Sequence, residues 1–368
     1  MRAFLAAFSR WAATITFIAL VTISFLDLLM SRLFYRGFPE AQRLVEHALL
    51  ALAFFAALRA TIERTHLALS TGSGGKITSF NRGLADSIAV GVNALLFCAS
   101  LSLMFVGFEP GTKLLGLPIA LWVSPMAIGF LLMAIAGIVL SSGLARLASI
   151  ISLASGLFFG STALLNLGYA VGFMPPALES IAGFAFSVAG TVHLPLIVAL
   201  AAAAFFGVPL YAVLSGVAAL LFLSSGSAIE LIPSEAYNLL RNASMPAIPL
   251  FTIAGFILSD SGAGKRLVAV FRELFGWLPG GEAFAAVLVC TFFTTFTGAN
   301  GVTILALGGI LAYILVGSGA YDEDYAHGLL TASSSIGLLF PPSIAIILYA
   351  VNAQFMVQGE GSFTITDM

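Results

Sequence analysis

An all-α polytopic membrane protein is the fold class the sequence predicts, on three observations. Sixty per cent of the 368 residues are hydrophobic and 9% are charged, against about a quarter charged in soluble domains. Mean hydropathy is +1.07, and the apolar residues gather in stretches of membrane-spanning length. Two long runs contain no Asp, Glu, Lys or Arg: the 50 residues between Glu179 and Glu230, and the 39 from Ala283 to Tyr321. A bilayer core takes about 20 residues of helix, so each run must hold more than one helical arm.

Taken in order, the first expected span is 11–30, with Asp27 near its end, and the second is 46–60. Asp27 and Glu46 could pair with Arg32 or Arg43 at the interface. A basic, Gly/Ser-containing stretch follows, carrying Arg59, Arg64, Lys76 and Arg82; it suits a membrane face in contact with anionic lipid. Further spans are expected at 84–108, at 117–140 with Trp122 as an interfacial anchor, and at 147–173, ended by Pro175-Pro176. The first uncharged run divides at Gly207-Val208-Pro209 into spans near 190–206 and 208–224. Residues 225–244 are expected to be a polar loop, and 246–258 another span.

Basic residues orient the chain. With the N-terminus cytoplasmic, Arg2, Arg10, Arg59, Arg64, Lys76, Arg82 and Arg146 lie inside, and Arg32, Arg36, Arg43 and Lys113 outside. The same alternation puts Lys265, Arg266 and Arg272 inside, as the rule asks.

The second uncharged run is broken at Thr297-Gly298-Ala299-Asn300-Gly301-Val302-Thr303. Apolar chain enters, a polar glycine-flanked tip follows, and apolar chain returns, which predicts a re-entrant helical hairpin over about 283–316. A second break, Ser333-Ser334-Ser335-Ile336-Gly337 through Pro341-Pro342-Ser343, interrupts a helix expected over about 325–355. Backbone that leaves a helix at membrane depth needs protein, water or an ion as partner. Paired interrupted segments are the best sequence pointer to a transporter's binding site.

The run FTTFTGANGVTILALGGIL, then LLTASSSIGLLFPPSIAIILYA, resembles the large membrane subunit of tripartite ATP-independent periplasmic (TRAP) transporters. Ile248-Pro249-Leu250-Phe251 and Gly207-Val208-Pro209 are similar to earlier parts of that subunit. Residues 1–145 resemble the family's small four-span subunit through Arg32, Glu46, Pro125 and Gly129. The resemblance implies a fused chain. Residues 1–145 would be the small-subunit-like part, 146–183 a connecting helix and linker, and 184–368 the first half of the large subunit, one inverted repeat of an elevator-type transport domain. It further implies a multi-pass protein of the bacterial inner membrane, sodium as the coupling ion with no other cofactor, a periplasmic substrate-binding protein as partner, and import of an organic acid, commonly a carboxylate. Only one set of hairpin and broken helix is legible, so a second half is expected on another chain or in further sequence. The tip departs from the family's serine-rich pattern, with Asn300 offering a carbonyl oxygen where a serine would offer a hydroxyl.

A sodium ion calls for oxygen ligands that exclude water. Carbonyls freed at helix breaks, with Ser, Thr and Asn side chains, supply neutral oxygens, whereas a charge at mid-membrane costs about 2.5–3.5 kcal/mol on insertion scales. The candidate ligands are Thr297, Asn300 and Thr303 at the tip and Ser333, Ser334 and Ser335 at the second break, with Thr297, Asn300 and Ser334 the foremost for sodium. Gly298, Gly301 and Gly337 would let the backbone turn and approach closely, and Pro341 and Pro342 would leave carbonyls unpaired. The alternative is packing, with small residues bringing helices together and hydroxyls bonding back to their own helix.

Other classes fit less well. An intramembrane enzyme would need paired Asp, a Ser/His pair or a metal triad at membrane depth, and none is legible. A net charge of −2 leaves no nucleic-acid footprint. Cys98 and Cys290, both in apolar runs, suit packing. His193 suits a satisfied histidine at a helix interface. A binding-protein-independent dicarboxylate symporter and a purely structural membrane subunit remain alternatives. With no Arg or Lys in the hairpin or in 325–355, the size and charge of the substrate stay open.

Overall fold

The computed structural model describes residues 1–356 apart from 70–78, 110, 243–244, 299, 318 and 341–342. It divides into two compact units, Met1–Arg241 and Asn242–Met368.

The first unit holds α1 (Arg2–Phe34), α2 (Ala41–Glu63), α3 (Ser79–Val106), α4 (Ile119–Leu140), α5 (Leu144–Val171) and α6 (Pro176–Ala204). Among the described residues these are the six helices long and apolar enough to cross a membrane. Two shorter helices follow, α7 (Leu210–Ser224) and α8 (Leu231–Leu240). Leu50, Phe54 and Leu58 of α2 pack with Val123, Met126 and Met133 of α4 and Tyr237 of α8. Leu95, Leu96 and Ala99 of α3 form a second core with Ala163, Ala189, Ala219 and Leu223. Small hydroxyls join α3 to α5, with Ser87 Oγ 3.3 Å from Ser149 Oγ. The Trp122 indole donates to the Leu114 carbonyl at 3.1 Å. It thereby ties α4 to the antiparallel pair β1 (Lys113–Leu114) and β2 (Leu117–Pro118).

Several expectations are corrected here. The helix expected near 190–206 starts at Pro176. Proline at the first turn gives up an amide with no intrahelical acceptor, and Glu179 adds a favourable charge there. Residues 225–244 are not all loop, because α8 folds there and buries Tyr237 against His47, the ring nitrogen lying 3.1 Å from the phenol. The 15 residues of α7 fall short of a bilayer's thickness. Glu46 faces Arg241 at 3.6 Å and Gln42 rather than Arg43, and Asp27 accepts from the Phe38 amide at 2.8 Å instead of pairing with an arginine. His193, by contrast, is satisfied as expected, its ring nitrogen meeting the carbonyls of Ala189 and Gly190 in its own helix.

The second unit begins with α9 (Ala247–Asp260) and α10 (Ala263–Phe275). The amphipathic α10 carries Lys265, Arg266 and Arg272. Next come α11 (Gly281–Thr297), α12 (Asn300–Thr303), one π-helical stretch (Ile304–Gly308) and α13 (Gly309–Gly317). Val289, Cys290 and Phe293 of α11 pack on Leu307, Leu311 and Leu315 of the returning arm, so the two arms form a hairpin. Then α14 (Glu323–Ile336) adds Ala326 and Leu330 to that core. Its start is capped by Asp322, whose carboxylate accepts from the Tyr325 amide at 3.0 Å. A 3-10 turn (Gly337–Leu339) and an extended Phe340 separate α14 from α15 (Ile344–Met356).

Candidate functional site

The hairpin turns at Gly298. Its φ of 68° and ψ of 4° are left-handed, and its amide closes α11 on the Thr294 carbonyl at 2.8 Å. A side chain disfavours this conformation by about 1–2 kcal/mol, which accounts for a glycine here. The returning arm is held by a buried hydroxyl pair: Thr294 Oγ1 donates to Thr303 Oγ1 at 2.9 Å, both residues fully buried.

The second break lies against the same arm. A Cβ added at Gly337 would lie 2.3 Å from the Thr291 carbonyl oxygen, 2.6 Å from Thr294 Cβ and 2.9 Å from the Thr295 amide nitrogen. Only glycine lets the 3-10 turn touch the backbone of α11. Thr295 Oγ1, which donates to the Thr291 carbonyl at 2.9 Å, also lies 3.3 Å from the Gly337 carbonyl. Across the tip, Asn300 Nδ2 donates to Ser335 Oγ at 3.3 Å. The two breaks, 35 residues apart in sequence, therefore meet.

The serines act locally. Ser333 Oγ donates to the Leu330 carbonyl at 3.2 Å, and Ser334 Oγ to the Thr331 carbonyl at 2.8 Å. Ser335 Oγ reaches the Thr331 carbonyl at 3.5 Å. Ser343 starts α15, donating to the Leu338 carbonyl at 2.6 Å and accepting from the Ile346 amide at 3.3 Å. A hydroxyl that spends its proton on a carbonyl keeps its lone pairs. Asn300 gives one of its two amide hydrogens to Ser335 and brings a carbonyl oxygen to the tip. The serine hydroxyls of the junction thus offer lone pairs rather than spare protons.

Of the predicted site residues, Gly298, Asn300, Thr303, Ser333, Ser334, Ser335 and Gly337 belong to this junction. The Thr297 side chain and Pro341 and Pro342 lie outside the described residues. Gly301 is a correction. It sits within α12 without a left-handed φ, and an added Cβ would meet open space, so it provides neither turn nor close approach. Thr294, Thr295 and Ser343 were missed. The spacing of Thr291, Thr294 and Thr295, which puts three hydroxyls on one helix face, was the signal available for the first two.

Interrupted helices that meet inside an all-α polytopic membrane protein are the build of the membrane part of a secondary transporter. Residues 194–359 match the family model described as the tripartite ATP-independent periplasmic transporter, DctM component, and over this stretch the chain is similar to the TRAP transporters. It is 31% identical over 147 residues to the C4-dicarboxylate TRAP transporter large permease protein DctM of Vibrio cholerae, covering 39% of this chain and 32% of that one. It is 33% identical over 150 residues to the isethionate TRAP transporter permease protein DctMQ of Oleidesulfovibrio alaskensis, covering 40% and 23%. It is 31% identical over 112 residues to the ectoine TRAP transporter large permease protein TeaC of Halomonas elongata, covering 30% and 26%. The matched stretch thus spans about a third or less of these curated relatives' length. All three are permeases, not enzymes.

Proposed function

We propose that this chain is a membrane component of a sodium-coupled secondary transporter of the bacterial inner membrane, N-terminus cytoplasmic, importing an organic acid delivered by a periplasmic substrate-binding protein. The observation that carries the reading is the junction of the hairpin tip with the second break, where Asn300 touches Ser335 and Gly337 touches α11. Its acceptor-rich lining supports a small cation: oxygens whose protons are already committed have lone pairs for a cation and no donor for an anion. Sodium would sit among Thr297, Asn300, Thr303 and the 333–335 serines, with carbonyls from the broken turn completing the shell. Relatives named for C4-dicarboxylates, isethionate and ectoine support a small organic solute bearing an acidic group. We place the counterpart repeat of the elevator domain in further large-subunit sequence, on this chain or another, since the match spans a third or less of the relatives' length.

The test is uptake by the complete transporter, with its binding protein, in proteoliposomes with and without an inward sodium gradient. Sodium-dependent uptake that falls with Asn300→Ala and Ser334→Ala is expected. Uptake independent of sodium would overturn the coupling, and uptake independent of the binding protein would favour a stand-alone symporter.

A further inference from the structure

The first unit contains a cavity of about 600 Å³, within the roughly 300–1,000 Å³ range of small-molecule sites. It lies where α2 ends and α3 begins, and α4 and the turn before α7 complete it. Its shape is fixed by a backbone clip: the Leu210 amide donates to the Leu67 carbonyl at 2.9 Å, and Ala68 bridges Pro209.

The cavity has two distinct ends. At the rim stand Arg64, Arg82 and Asp86. Arg64 is held in a left-handed conformation, φ 58°, a strained choice for a non-glycine. There its guanidinium reaches the Asp86 carboxylate at 2.6 Å. Two arginines against one aspartate leave one surplus positive charge, centred on the exposed Arg82. His66 adds no charge at neutral pH, since burial lowers its pKa, and its ring packs on Tyr211 with centroids 4.8 Å apart. Polar groups continue inward in the Asn93 amide, which donates to the Tyr211 hydroxyl at 3.0 Å. Thr61 and Asn81 also line the cavity, and the rest of the wall is apolar, with Ala85, Ala89, Val90, Met133 and Phe206.

An anionic head and an apolar tail match these two ends, and basic pockets between transmembrane helices take anionic lipid head groups. We propose that this cavity holds the head group and first acyl carbons of one anionic phospholipid, its phosphate on Arg82 and Arg64. A free phosphate would satisfy the rim and leave the apolar wall without a partner.

The full chain, purified in detergent and stripped of lipid, is offered phosphatidylglycerol, phosphatidylcholine or inorganic phosphate, and bound species are counted by native mass spectrometry. One phosphatidylglycerol retained in preference to phosphatidylcholine is expected. Arg82→Gln, at an exposed position that leaves the core intact, should lower that preference about five-fold, the worth of one basic residue near an anionic surface. Ala89→Leu, which narrows the apolar wall and keeps every charge, should also weaken retention. Equal retention of the two lipids, or phosphatidylglycerol retention unaltered in both variants, would overturn the proposal. Displacement of the lipid by inorganic phosphate, with Ala89→Leu binding as wild type, would assign a free-phosphate site instead and overturn it equally.

Discussion

Gly337→Ala is the most incisive perturbation of the junction. The added methyl would lie 2.3 Å from the Thr291 carbonyl oxygen and 2.9 Å from the Thr295 amide nitrogen. Both are backbone atoms of α11, so neither swings aside as a flexible side chain would. Relief requires moving the 3-10 turn away from α11 and so opens the 3.3 Å approach of Thr295 Oγ1 to the Gly337 carbonyl. Overpacking of this kind costs about 1–3 kcal/mol. The control is Gly301→Ala, where the new methyl meets open space within α12. Alanine is favoured over glycine in a helix by about 1 kcal/mol, so that variant should be neutral or slightly stabilised. Melting of the full chain in detergent, followed beside uptake in the complete transporter, reads both. Gly337→Ala should lower the midpoint by several degrees and abolish uptake, while Gly301→Ala should retain both. Wild-type melting and uptake in Gly337→Ala would refute the close approach of the second break to α11.

Four further outcomes are expected. Gly298→Val should abolish uptake with expression preserved, because a β-branched residue tolerates φ 68° poorly; wild-type uptake would mean that the tip needs no left-handed turn. Asn300→Ala should raise the sodium concentration for half-maximal uptake about ten-fold or more, as a charge-assisted contact is worth about 1.5–3 kcal/mol; an unchanged sodium dependence would remove Asn300 from the ligand set. Thr294→Val withdraws the donor to the buried Thr303 hydroxyl and should cost about 1–3 kcal/mol in denaturant or thermal melts, an effect absent if the pair is incidental. His66 has its pKa lowered below 6.5 by burial, so its contribution is full above that pH and lost as pH falls through the lower folded value. Melting midpoints should fall between about pH 7 and pH 5, and His66→Gln should flatten that fall.

The helices of the first unit were legible because their pattern is one of bulk: about 20 apolar residues between charges reads as a span whatever its neighbours. The two breaks were legible for the opposite reason, since glycine and polar residues inside a long uncharged run mark where a helix must bend or stop. What escaped notice depends on partners. Helix α8 looked like loop because it is only ten residues long and Pro233, Ser234, Glu235 and Asn238 interrupt its apolar residues; Tyr237 buried on His47 accounts for its docking. Glu46 had basic neighbours in sequence, yet it faces Arg241, brought from far along the chain by α8. The π-helical stretch at Ile304–Gly308 leaves no mark in the residue pattern. Gly298, Gly301 and Gly337 looked alike as letters. One turns the chain, one touches a backbone, and one does neither, which only tertiary geometry decides.

The polarity of the junction bears on how an anion could be carried by it. From Ala283 to Met356 the chain has no Lys or Arg, and the described hydroxyls at the second break donate to carbonyls. A carboxylate arriving there finds neither a fixed positive charge nor spare donors from those serines. Burial of an unpaired ionised group costs too much to be sustained, so an anion seated on these groups needs a positive partner, either an ion bound with it or a basic side chain of the counterpart repeat. A sodium ion among the neutral oxygens would be that partner, and the anion would in turn hold the ion. Binding of each then strengthens binding of the other by the same factor. Coupling in this arrangement needs no separate gate between two sites. It would follow from a lining without Lys or Arg and rich in acceptor oxygens, on which each ion would be held better with the other than alone.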